Sequence, residues 1–379
     1  MGRKKVVIAP DSFKESLTAM EVATAIEEGF QKIHPYWEYV KIPMADGGEG
    51  TLQSLVDAKK GTFKTVQAKD PLGNNIEAAF GLLNDGKLAI IEMATAAGLE
   101  LVENSKRNPM KTTSWGLGDL IRGALDEEVE EMIIGIGGSA TNDGGAGMIQ
   151  SLGGKLLDYK GDQISLGGTG LSELAAIDLA ELDHRLKNVH IVIASDVNNP
   201  LVGPNGATYI YGPQKGATPD QVKELDQNLK HFAGVVARDL KQTIAEIPGA
   251  GAAGGVGGAL LAFFGAELRN GGEVIIERVQ LEQEMKEADL VITGEGGMNH
   301  QTIYGKTPIV VAEVAKKYDL PVVAIVGSLS EGYKVVYEKG IDAVFSILPE
   351  ITDVETALAG GFQNIVETAR NIAVTLELY

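Results

Sequence analysis

The stretch Met132-Ile133-Ile134-Gly135-Ile136-Gly137-Gly138-Ser139-Ala140-Thr141-Asn142-Asp143-Gly144-Gly145-Ala146-Gly147 is an apolar run that ends abruptly in glycines, hydroxyls and one carboxylate. Glycines lack a Cβ, so their backbone N–H groups can approach an anion and adopt positive φ, while Ser139, Thr141 and Asn142 can donate to phosphate or carboxylate oxygens. The residues after it, Ala146 to Leu152, read as a helix start. Strand, glycine loop and helix N-terminus together predict an anion site. A glycine-rich crossover turn is the plainer alternative, but such a turn does not need three hydroxyl or amide side chains between its glycines.

Two acidic loops could supply the chemistry around such an anion. In Pro43-Met44-Ala45-Asp46-Gly47-Gly48-Glu49-Gly50-Thr51, the carboxylates of Asp46 and Glu49 stand three residues apart before a helical Leu52–Ala58. They can hold Mg²⁺ through oxygens or waters, or take a proton from a hydroxyl. They read equally as a turn residue and a helix-start charge. Asp196, in Ser195-Asp196-Val197-Asn198-Asn199-Pro200-Leu201, follows an apolar strand where a metal-holding or a capping aspartate is expected. Lys215 stands alone between glycines in Gly212-Pro213-Gln214-Lys215-Gly216 and suits a phosphate, a carboxylate or plain solvent. The segment from Thr293 to Pro308 contains Gly305-Lys306-Thr307, but it is no P-loop, because His300 stands where the earlier glycine is required. Nor does the glycine loop complete a dinucleotide fingerprint, whose last place holds Ala140. The five histidines show no metal-ligand spacing, which argues against zinc.

The elements that must position these loops follow an α/β pattern. Val6–Ala9, Ile133–Ile136, Ile191–Ala194 and Leu290–Thr293 are short apolar runs, each ending in a small or polar loop, as buried parallel strands do. Between them lie helical patterns, such as Ala19 to Lys32 behind a Thr18 cap with Glu21 three residues on. Asp70-Pro71-Leu72-Gly73-Asn74-Asn75 separates Phe63–Ala68 from Ile76–Leu83 and reads as a hairpin. Near the C-terminus, strands Val322–Val326 and Ala343–Ile347 alternate with helical Pro308–Tyr318 and Val354–Leu376. The expected fold is a Rossmann-like parallel-sheet domain, residues 1–60 plus 286–379, interrupted by an inserted second α/β domain, residues 61–285, with the active site in the cleft between them. Ligands of such sheets bind outside the carboxyl ends of the strands, where the polar loops fall.

A length of 379 residues favours two domains. A net charge of −19 and a pI near 4.7 argue against general nucleic-acid or membrane-surface binding, so an anionic ligand needs a local basic or N–H-rich pocket. With no cysteine, thiol catalysis, thiolate metal sites and disulfides are excluded. The N-terminal apolar run is too short for a signal peptide, and Gly249 to Leu268 is too weakly hydrophobic for a membrane span. A cytoplasmic protein is expected.

Taken together, these segments resemble the bacterial-type glycerate kinase family that includes the glyoxylate- and galactarate-pathway enzymes. The resemblance rests on Ala9-Pro10-Asp11-Ser12-Phe13-Lys14-Glu15-Ser16-Leu17, on Pro43–Thr51, Gly137–Gly147, Ala194–Leu201, Pro213–Ala217 and Gly249–Gly255, and on Ile292–Pro308. It implies ATP-dependent phosphorylation of D-glycerate with Mg²⁺, with 2-phosphoglycerate favoured over 3-phosphoglycerate, by a monomer or homodimer. A non-catalytic nucleotide or hydroxy-acid binder, or a kinase of another small hydroxy acid, is the alternative. On this resemblance Asp196, Lys14, Asp46 and Glu295 are the catalytic candidates, and Asp11, Ser12, Lys14, Lys215 and Asn299 the substrate-binding ones. Gly137, Gly138, Ser139, Thr141, Asn142 and Lys306 would bind nucleotide phosphates, and Asp196 and Glu49 the metal. The chain departs from the family pattern twice: Glu15 stands where a glycine is usual, and Asn299 where an aspartate is usual.

Overall fold

In a computed structural model, residues 3–45 and 50–377 are described. Asp46 and Glu49 lie outside them. The chain divides into two compact units, the first made of Met1–Asp46, Gln53–Lys60 and Gly272–Tyr379 and the second of Gly47–Leu52 and Gly61–Gly271. The second crossing therefore falls earlier in the chain than the expected 285/286. Residues beyond it form the helices Gly271–Val279 and Leu281–Met285, which lead into the strand Leu290–Gly294 of the first unit.

The first unit is built on five parallel strands in the order Ala343–Ser346, Val322–Val326, Leu290–Gly294, Lys5–Pro10, Glu38–Lys41. Both faces are covered, which is why these strands are apolar without alternation. Val6, Ile8, Leu290, Ile292, Val323 and Ile325 share one cluster with the helices Ala19–Gln31 and Gly361–Thr375, while Val7, Val291 and Ala324 on the opposite face are equally buried. The helix Ala19–Gln31 begins at the anticipated capping box: Glu21 N donates to Thr18 Oγ1 at 3.2 Å and Thr18 N donates to Glu21 Oε2 at 2.8 Å. The helical pattern 354–376 breaks at Gly360 into Val354–Ala359 and Gly361–Thr375. From Lys5–Pro10 the sheet grows to one side by Glu38–Lys41 and to the other by the later strands. The order therefore reverses between Lys5–Pro10 and Leu290–Gly294, and the crevice outside their carboxyl ends is where such sheets bind ligands.

The second unit carries six strands in the order Glu267–Arg269, His190–Ala194, Glu131–Gly135, Leu88–Glu92, Asn75–Leu83, Thr62–Lys69. The first four pair in parallel and the last two form the antiparallel hairpin. Its turn is tied by Asp70, whose Oδ1 accepts from the backbone N of Leu72 and Asn74, both at 2.8 Å. The architecture is thus α/β in both units. Among the described residues, no helix is long and apolar enough to cross a membrane.

Candidate active site

At the reversal point of the first unit, Asp11 follows the strand Lys5–Pro10 and Glu295 follows Leu290–Gly294. The two loops are drawn together by their backbones: Asp11 N donates to Gly294 O at 2.9 Å, and a Cβ on Gly296 would stand 3.3 Å from Phe13 Cα, closer than ordinary contact. Asp11 is fixed from both sides, its Oδ1 accepting from Ser12 N at 2.7 Å and its Oδ2 from Thr307 Oγ1 at 2.8 Å. Thr307 opens the helix Thr307–Lys316, whose positive end thereby faces a carboxylate. Glu295 is buried, its Oε1 accepting from Thr302 Oγ1 at 2.6 Å and its Oε2 from Lys306 Nζ at 2.9 Å. That ion pair aims the partly exposed Lys306 ammonium. Lys14 is exposed and makes no ion pair among the described residues.

Asp11, Lys14, Glu295 and Lys306 line a cavity of about 860 Å³ within the first unit, together with Ser12. Five of the residues expected from sequence therefore meet in one place. Asn299 is not among the lining residues. Its Oδ1 accepts from Gln301 N at 2.7 Å, capping the turn His300–Ile303, a task an aspartate performs equally well. The departure from the family pattern is thus local to a cap. Glu15 has φ +63°, a left-handed conformation that glycine adopts without cost, which is the physical reason a glycine is usual there.

In the second unit the glycine loop is built differently from the expectation. The helix Ala146–Ser151 has only six residues, and an anion already sits at its start: Asp143. Its Oδ2 accepts from Ser114 N (2.8 Å), Ser114 Oγ (2.9 Å) and Gly147 N (3.3 Å), and its Oδ1 from Gly145 N (3.1 Å). Burial pushes the Asp143 carboxyl up, against these four donors, which favour the charged form. The anticipated external anion at this helix start is therefore replaced by the chain's own carboxylate. Thr141 and Asn142 are fully buried, with Asn142 Nδ2 donating to Thr208 Oγ1 at 3.0 Å. Lys215, expected to face a ligand, is only 2% exposed and donates to Ser139 Oγ at 2.8 Å and Thr141 O at 2.7 Å. Burial lowers its pKa to about 7, the nearby Asp143 charge opposing the shift. Sequence pattern could not show this, because the side chains that enclose Lys215 come from distant segments. Gly137 and Gly138 alone remain exposed at the loop tip, and their N–H groups donate to no backbone carbonyl among the described residues. They border a smaller cavity of about 370 Å³ that also holds Glu92 and Glu100.

Asp196 follows the strand His190–Ala194 as expected, its Oδ1 accepting from Asn270 Nδ2 at 2.7 Å and Gly271 N at 2.9 Å. Among the described residues no group of three or more histidines and carboxylates is gathered as a metal cage. The feature that sequence reasoning missed is the apolar wall of the larger cavity, residues 347–361. Its signal was the run Ile347-Leu348-Pro349-Glu350-Ile351 directly after a strand.

The model of the family described as "Glycerate kinase family" matches residues 6–377. The chain is 55% identical to the glycerate kinase of Haemophilus influenzae over 372 residues, covering 98% of each. It is 52% identical to the glycerate 2-kinase of Escherichia coli K12 over 374 residues, covering 99% of this chain and 98% of that one. A crystal structure of a protein from Salmonella typhimurium LT2 assigned as glycerate kinase 2 superimposes with a TM-score of 0.92 at 52% identity, covering 100% of this chain and 99% of the other.

Proposed function

Since this chain belongs to the glycerate kinase family, we propose that it transfers the γ-phosphoryl group of ATP to the 2-hydroxyl of D-glycerate, assisted by Mg²⁺. The observation that carries the reading is the cavity at the strand-order reversal, whose lining brings together Lys14, Lys306 and the pinned carboxylates of Asp11 and Glu295. Phosphoryl transfer asks a protein mainly for positioning and for charge placed around the moving group. Lys306, aimed by Glu295, meets the transferring phosphoryl oxygens, and Ser12 and Lys14 hold the carboxylate of glycerate. Asp11, held by Ser12 N and Thr307, orients the attacking hydroxyl. Glu295, buried and paired with Lys306, acts by positioning that ammonium.

The donor set fits Mg²⁺, which takes hard oxygens and is usually held by one or two carboxylates together with substrate phosphates and water, so no preformed cage is needed. Asp196, with its carboxylate fixed by Asn270 and Gly271, and Glu49 would hold it. The ion would neutralise phosphate charge as it moves to the acceptor. In the glycine loop, the exposed N–H groups of Gly137 and Gly138 are available to a phosphate oxygen, while Ser139, Thr141 and Asn142 hold the loop in shape with Lys215.

The test is ADP release. It should require D-glycerate, and Lys306→Met should lower kcat/KM by about 10²-fold or more, the usual cost of removing a group that stabilises transition-state charge. ADP release that is independent of glycerate, or unchanged in Lys306→Met, would overturn the reading. A cytoplasmic setting and a monomer or homodimer belong to the same proposal.

A further inference from the structure

We infer that the first unit's cavity seats the adenine of the nucleotide against the segment 347–361. The inference rests on the kinase reading above and concerns where the base of the nucleotide sits. A volume of about 860 Å³ is far more than a three-carbon acid fills, whereas nucleotides occupy pockets of this class. The lining combines two chemistries: Asp11, Ser12, Lys14 and Lys306 supply polar groups, and Ile347, Leu348, Ile351, Val354, Ala357 and Leu358 supply apolar ones.

On that surface Leu348 is 42%, Val354 74% and Ile351 fully exposed. One such side chain in water is ordinary, but three around the mouth of a single cavity mark a ligand surface. The backbone adds a second observation. Between the strand Ala343–Ser346 and the helix Val354–Ala359, the N–H groups of Glu350, Ile351 and Thr352 donate to no protein acceptor among the described residues. Unpaired backbone donors and acceptors beside an apolar surface are what the polar edge of a purine takes, its faces covered by aliphatic side chains. The smaller cavity in the second unit suits a whole nucleotide less well, with a volume of about 370 Å³.

The experiment uses the full chain and reads binding as well as turnover. Photolabelling with 8-azido-ATP, with unlabelled ATP as competitor, should place the adduct within residues 347–361. Ala357→Leu, which fills the cavity from the helix Val354–Ala359, should weaken ATP binding at least tenfold by calorimetry and raise the KM for ATP while leaving the KM for D-glycerate unchanged. Inorganic tripolyphosphate, which lacks the base, should bind wild type and Ala357→Leu alike. Ile351→Ser, at a side chain fully exposed to solvent, leaves folding unaffected and should weaken ATP binding severalfold. Adducts confined to Glu92–Leu101 or Gly137–Gly138, unchanged ATP binding in both variants, or equal loss of tripolyphosphate binding in Ala357→Leu would overturn the inference. A protein that binds ATP here yet phosphorylates no glycerate would support this seat and refute the kinase reading. A glycerate kinase whose ATP binding ignores both substitutions would do the reverse.

Discussion

Replacing Lys215 by methionine should flatten the dependence of stability on pH in the alkaline range. Folding moves this amine from water into a site where it is 2% exposed, and its pKa falls from 10.5 to about 7. Between these values the unfolded chain binds the proton that the folded chain has released, so stability rises with pH, by up to about 1.4 kcal/mol per unit. At pH 7 the folded state still holds about half a proton at this site, and integration from pH 7 to 9 gives a gain of about 2 kcal/mol. Methionine keeps the length of the side chain and does not titrate. The assay is urea unfolding at pH 7, 8 and 9 in a Trp37→Phe background, which leaves Trp115, in the second unit, as the sole tryptophan reporter. The wild-type midpoint should climb relative to Lys215→Met by an amount equivalent to about 2 kcal/mol. Parallel midpoints across this range would show that Lys215 remains an ammonium ion in the fold, and the neutral, doubly donating amine deduced here would be wrong.

Asp143→Ala should cost about 3–5 kcal/mol in the same assay, because it strands the buried N–H groups of Ser114, Gly145 and Gly147 and removes the negative charge near Lys215. Glu15→Gly relieves a left-handed backbone and should be neutral to stabilising by about 1 kcal/mol in thermal unfolding, whereas Glu15→Val should destabilise by at least about 1 kcal/mol; the opposite order would refute the strain at this turn. Asn299→Asp should leave turnover unchanged, since either residue caps the turn His300–Ile303; a large gain in kcat would assign a catalytic charge to this position.

The elements were legible where their signal is local. Continuous apolar strands, the Thr18–Glu21 capping box and the Asp70 turn each depend on residues within a few positions, and each was found where the pattern placed it. The loops that follow strands were legible for the same reason, so Asp11, Ser12, Lys14, Glu295 and Lys306 could be singled out before their meeting point was known. What the pattern could not carry was which polar groups face inward. Asp143 and Ser114 are 29 residues apart and Lys215 and Ser139 are 76 apart, so nothing local distinguishes a buried strut from a ligand-binding group. An isolated lysine between glycines looks solvated until the chain around it closes. The apolar wall at 347–361 escaped notice because an exposed isoleucine is unremarkable in sequence and acquires meaning only beside a cavity.

The identity of the product tests phosphoryl transfer to glycerate most directly. Phosphorus NMR of the reaction of this protein with ATP, Mg²⁺ and D-glycerate should show the phosphomonoester resonance coupled to a single proton, that on C2, with stoichiometric ADP. A resonance coupled to the two C3 protons would contradict transfer to the 2-hydroxyl. No new phosphomonoester from a protein that binds both substrates would contradict the kinase itself.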